Sequence, residues 1–152
     1  MSEPCAIAVD GILPKTLGLT RGAVRMAAAA FAVRSSMRIG VPFREVTVIV
    51  QDDRSSDEAH RAILGAEGAT DVITQRYDAM PGEPIGVYGE IYVNADQAIR
   101  AAPKRRGWSA AREFLLYVAH GMDHLSGADD HSPEDYLRMR RRELKWLKEN
   151  GK

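Results

Sequence analysis

Cysteine is almost missing from this 152-residue chain, with Cys5 its single thiol. One thiol makes no internal disulfide and no cysteine-based zinc site, which excludes disulfide scaffolds and zinc ribbons. The natural compartment is a reducing cytosol, so a cytoplasmic protein is expected. Long apolar runs are missing too. The longest, "MAAAAFAV" at 26–33, is far too short to span a bilayer, and no membrane partner is expected. The opening "MSEPCAIAVDG" lacks the basic start and apolar run of a signal peptide. Charge of either sign is not in excess, since 21 Lys and Arg balance 21 Asp and Glu. This argues against a uniformly basic nucleic-acid protein and leaves only local basic faces, in "PKRRGW" and "YLRMRRRELKWLKEN".

What is present suits a single domain over 1–152, with 45% hydrophobic residues for one core and 28% charged residues for its surface. "CAIAVDG" reads as a strand and turn. Thr20 caps a helix to about Met37, whose Val24, Ala27, Ala28, Phe31 and Ala32 share one face. "VTVIVQDD" at 46–53 is a β-branched strand, and Ser56 or Asp57 opens a short helix ending near Gly65. Strands follow at 70–78 and 87–94, the second alternating Val87, Gly89, Ile91 and Val93 with polar neighbours. Asn94 or Ala95 begins a short helix that stops before Pro103. Ser109 caps a long helix ended by Gly127, and Ser132-Pro133 opens the last one. The expected fold is α+β, a mixed four-stranded sheet packed with about five helices, with a metal site on the long helix beside the sheet.

Three of the four histidines fall in "VAHGMDHLSGADDH" at 118–131. His120 and His124 are four apart and share a helix face, so both can point at one ion. Gly127 then lets the chain fold back, offering Asp129, Asp130 or His131 as a third ligand. Two imidazoles and one further ligand form the open set of a catalytic zinc site. Gly121 replaces the glutamate of the HExxH protease motif, so a protease is excluded, and its missing side chain permits close approach of a backbone or a substrate.

These residues resemble the signature of the YbeY endoribonuclease family, His-Gly-x-Leu-His-Leu-x-Gly-Tyr-Asp-His. "VTVIVQDD" is similar to that family's second strand, "GATDVITQ" to its Pro-Thr-Asp-Val strand, and "YGEIYVNADQA" to its Gly-Asp-Ile strand and following helix. Glu113 matches an acidic residue upstream of the histidines, and the likeness covers about residues 44 to 145. It implies a metal-dependent, single-strand-specific endoribonuclease, usually with zinc, acting in ribosomal RNA maturation and ribosome quality control. The implied partners are single-stranded or ribosomal RNA and the ribosome small subunit. The implied fold sets the histidine helix beneath a groove beside the sheet.

The chain departs from that pattern at several positions. Aligned without a gap, the last histidine falls on Asp130, with His131 one residue later, and either can close the site with His120 and His124. Asp123 replaces a leucine; it is a candidate catalytic or histidine-orienting acid, or an exposed acid at a helix edge. Leu64 replaces an arginine that contacts phosphate, and Arg61, one turn earlier, is the candidate substitute or a solvated charge. His60 replaces an asparagine, and Gln75 and Ala128 replace aromatic residues, weakening base stacking. Thr70 and Asp71 are retained, as turn or groove residues. Lys104, Arg105 and Arg106, or Arg140, Arg141 and Arg142, offer phosphate contacts or a solvated face. A non-catalytic ribosome- or RNA-binding factor with a structural metal is the main rival reading, and a hydrolase of a small substrate a third.

Overall fold

Each of the five α-helices is entered through a side chain that accepts an amide hydrogen of its first turn, where helix amides lack partners. Thr20 starts α1 (Arg21–Ile39), Asp52 starts α2 (Asp53–Leu64), and Asn94 starts α3 (Ala95–Ala101). Ser109 starts α4 (Ala110–Leu125) and Ser132 starts α5 (Pro133–Glu149). The strands are β1 (Ala6–Asp10), β2 (Phe43–Gln51), β3 (Val72–Tyr77) and β4 (Val87–Asn94). This computed structural model describes residues 4–150, so the outermost positions of the 1–152 span lie outside the described residues. Among the described residues, no helix is long and apolar enough to cross a membrane.

The sheet order is β1-β2-β4-β3, with β1 and β4 parallel to β2 and β3 antiparallel to β4. The expected α+β class, mixed sheet and helix count therefore hold. Several boundaries differ, among them those of β2, which runs Phe43–Gln51 and not 46–53. Helix α2 begins at Asp53, not at Ser56 or Asp57, because Asp52 and Ser55 form a reciprocal capping box that starts the helix directly after β2. Strand β3 begins at Val72, since the Asp71 carboxylate takes the Val72 amide. Helix α1 runs two residues past Met37 and ends at Gly40, whose φ of 69° suits glycine.

One buried core joins α1, α4, the C-terminal part of α5 and one face of the sheet. On α1, Val24, Ala28, Phe31 and Ala32 are fully buried, and Phe31 stacks on Trp146 of α5 at 6.2 Å. Helix α4 lies very close to the sheet. A Cβ at Gly121 would stand 2.4 Å from Ile91 Cγ2 and 3.3 Å from both Thr74 Cγ2 and Val72 Cγ2. One turn on, a Cβ at Gly89 of β4 would stand 2.7 Å from Leu125 Cδ2. The close approach expected at Gly121 is therefore to sheet side chains.

Ile91 is fully buried, and its methyl has no room to retreat. Gly121→Ala should cost about 1–3 kcal/mol of stability by overpacking. Urea unfolding checks this, and Ile91→Ala in the same background should recover part of the loss.

Candidate metal centre

His120 and His124 lie one turn apart near the C-terminal end of α4. Their Nε2 atoms face each other at 3.0 Å. Ser126 and Gly127 end the helix, Gly127 with φ of 93°, and the chain turns back so that Asp130 approaches both rings. Asp130 Oδ2 lies 3.7 Å from His120 Nε2 and 3.5 Å from His124 Nε2. Ligand atoms held about 2.0–2.1 Å from a tetrahedral ion stand about 3.3 Å from one another, so the three atoms have the spacing of a metal set. Among the described residues, His120, His124 and Asp130 are the group able to hold an ion.

The outer ring nitrogens say which inner atoms carry protons. The Ala128 carbonyl only accepts, so His124 Nδ1 donates to it, at 3.2 Å. The Glu143 carboxylate of α5 accepts from His120 Nδ1 at 2.9 Å. A neutral imidazole held this way presents a bare Nε2 inward, beside the Asp130 carboxylate. Three such acceptors converging is an arrangement that a cation stabilises, and the residues present fit a divalent ion. Burial lowers the basicity of His120, but the Glu143 carboxylate outweighs it, so the ring lies above its ordinary value. The Asp71 carboxylate adds to that pull, and it also accepts from the Val72 amide at 2.7 Å.

Sequence expectations for two residues are corrected. His131 does not join the group: its side chain is 88% exposed, and Asp129 holds it outward by accepting from its amide at 2.9 Å. The Asp129 turn thus sends Asp130 inward and His131 out. Asp123 is neither an exposed acid nor a group within reach of substrate, because it is fully buried. Arg142 of α5 grips both its oxygens at 3.0–3.2 Å, and Arg38 of α1 approaches at 3.4 Å while also donating to the Ser126 hydroxyl. Burial pushes the Asp123 carboxyl above its ordinary range, against the pull of Arg142 and with help from neighbouring Glu143.

The remaining candidates are scattered. Arg61 is half-exposed on α2, paired with Asp57 at 3.2 Å and reaching Glu67 at 3.8 Å. His60 is tied to the Gly68 carbonyl and Leu64 faces solvent. Gln75 lies on the sheet face opposite α4, where its amide oxygen accepts from Tyr77 at 2.8 Å. Ala128 contributes its backbone carbonyl instead of a side chain. Glu113 is buried under Trp108, whose ring nitrogen donates to it at 2.7 Å. Lys104, Arg105 and Arg106 lie at an exposed turn before α4, while on α5 Arg141 is exposed and Arg142 is committed to Asp123. An apolar cavity of about 500 Å³ lies at the other end of α4, lined by Leu19, Met26, Phe31, Leu115 and Leu147, away from the histidines.

Sequence reasoning missed Glu143, the carboxylate that accepts from the outer nitrogen of His120. A signal for it exists: Met139, Glu143, Trp146 and Leu147 form the buried stripe of α5, and an acid in an apolar stripe needs a buried partner.

The sequence pattern of the family described as Endoribonuclease YbeY matches residues 16–151. A protein named Endoribonuclease YbeY from Rhodopirellula baltica is 35% identical over 121 residues, covering 79% of this chain and 61% of that protein. One of the same name from Thermus thermophilus is 38% identical over 106 residues, 68% of this chain and 74% of that protein. The matched region thus spans about three fifths of the Rhodopirellula protein's length. The solution structure of TM1509 from Thermotoga maritima shares the fold, with a TM-score of 0.61 and 20% identity over 94% of this chain and 87% of that one.

The Asp123–Arg142 pair generates a stability prediction. Arg142→Leu strands a fully buried carboxylate and should cost about 3–5 kcal/mol, toward the lower end because Arg38 remains. Arg142→Leu combined with Asp123→Leu should recover most of that loss, since apolar replacement of both partners is often neutral. Denaturant unfolding of the two variants measures the difference.

Proposed function

The chain belongs to the YbeY endoribonuclease family, and on that premise we propose that it is a metal-dependent endoribonuclease of single-stranded RNA, acting in ribosomal RNA maturation and ribosome quality control. The proposed ion is zinc, held by His120 Nε2, His124 Nε2 and Asp130. The proposed setting is the cytoplasm, with the ribosome small subunit as partner.

The observation that carries this reading is that three side chains converge and a fourth does not. A three-ligand set keeps a coordination position open, as catalytic sites do, whereas structural sites are closed by four. The rival reading, an RNA-binding factor with a structural metal, calls for a fourth ligand, and solvent-facing His131 is not in place to supply one. An ion bound there supplies Lewis-acid polarisation of a phosphate oxygen and lowers the pKa of a water.

The chain's own residues divide the remaining work. Side-chain exposure rises from 13% at His120 through 28% at His124 to 36% at Asp130, so the site opens on the side of Asp130. That opening is where a phosphodiester approaches. Zero net charge leaves RNA retention to local cations, and Lys104, Arg106, Arg141, Lys145 and Lys148 are among the exposed ones with no ion pair within the described residues.

The test is metal content and cleavage of single-stranded RNA by the full chain. His124→Ala should lose both the ion and the cleavage, Asp130→Ala should weaken both, and His131→Ala should leave both unchanged. Equal cleavage by wild type and His124→Ala overturns the catalytic reading. Arg61→Ala separates a phosphate contact from a surface ion pair: unchanged cleavage removes Arg61 from the reaction.

A further inference from the structure

We propose that Glu143 is the positioning residue of the metal centre, the group that fixes His120 with its Nδ1 protonated and its Nε2 bare toward the ion. This inference rests on the proposed metal site and adds to it a residue from outside the histidine segment. Glu143 is fully buried, and its Oε2 lies 2.9 Å from His120 Nδ1. Its other oxygen has no hydrogen-bond partner, and Arg140 Nε stands off at 3.8 Å. Burying a carboxylate is costly unless it answers a specific donor, and its hydrogen-bond donor here is His120. A carboxylate behind a ligand histidine fixes the tautomer, aims the ring and raises its power as a ligand.

The two imidazoles are held differently. His124 leans on the Ala128 carbonyl, a neutral acceptor from its own turn. His120 leans on an acid delivered by α5, 23 residues away. Next to Glu143 on α5, Arg142 grips Asp123, which lies three residues from His120 on α4. That buried pair holds the two helices in the register that brings Glu143 to His120. The site is therefore built from two helices, and α5 takes part in it without supplying a ligand.

The experiment measures zinc affinity of the full chain by competition with a chromophoric chelator, for wild type, Glu143→Gln and, as a control at an exposed position of the turn before α1, Lys15→Ala. Gln keeps the volume and an acceptor oxygen but loses the charge. Glu143→Gln should bind zinc about 10–100-fold more weakly, with an unchanged circular dichroism spectrum, while Lys15→Ala should match wild type. Equal affinity of Glu143→Gln and wild type overturns the proposal. A second measurement needs no metal and no variant: long-range proton–nitrogen correlation of the metal-free protein should show His120 with its proton on Nδ1. A proton on Nε2 instead overturns the proposal even if every variant misfolds. Failure of wild type to take up zinc sinks the metal site itself, and with it the claim that Glu143 serves an ion.

Discussion

The close approach of α4 to β4 is the constraint on which the rest depends. Gly121 on the helix receives Ile91, and Gly89 on the strand receives Leu125. These two fits lie one helical turn apart, so they set both the height of α4 along the sheet and its rotation. Successive helix residues turn by about 100°. With Gly121 against the sheet, His120 and His124 fall to one flank of the helix. Asp123 falls roughly opposite the sheet, where α1 and α5 cover it with Arg38 and Arg142. The histidines thus reach a partly open edge, and the aspartate three residues from His120 cannot.

Two buried carboxylates then tie α4 to α5. Asp123 on α4 meets Arg142 on α5, and Glu143 on α5 meets His120 on α4. The exchange is reciprocal: each helix supplies one acid and receives one donor. A buried ion pair adds little net stability, because desolvation offsets much of the attraction. Its consequence here is geometric. Sliding α5 along α4 would draw Arg142 away from Asp123 and Glu143 away from His120 together, so both contacts specify the register of the helix pair.

Much of this was legible in the sequence. Thr20, Asn94, Ser109 and Ser132 mark four of the five helix starts, because capping is a local interaction. The α2 start was missed for an equally local reason. The β-branched run before Asp52 invites extension of the strand, and the reciprocal bonds between Asp52 and Ser55 stop it. The placement of Asp123 was not local at all. Its partners Arg38 and Arg142 stand 85 and 19 residues away in sequence, and no pattern within α4 shows that both helices cover it. The choice between Asp130 and His131 turned on the Asp129 side chain, which takes the His131 amide and so decides which neighbour points inward.

The same burial explains why Asp123 invited a catalytic reading. Set against the histidine signature, an acid in place of leucine between His120 and His124 looks like added chemistry. In the fold it is one half of a coupled pair, and Arg142 is the other half. A buried acid is tolerated only with its cation, and Arg142 in the α5 basic run is held where a solvent-exposed phosphate contact would not need it. Each residue alone suggests a role in RNA chemistry, the acid as a base and the arginine as a phosphate contact. Together they satisfy one another inside the protein. The unusual residue that does touch the site is Glu143, the immediate neighbour of Arg142, whose position that pair helps to fix.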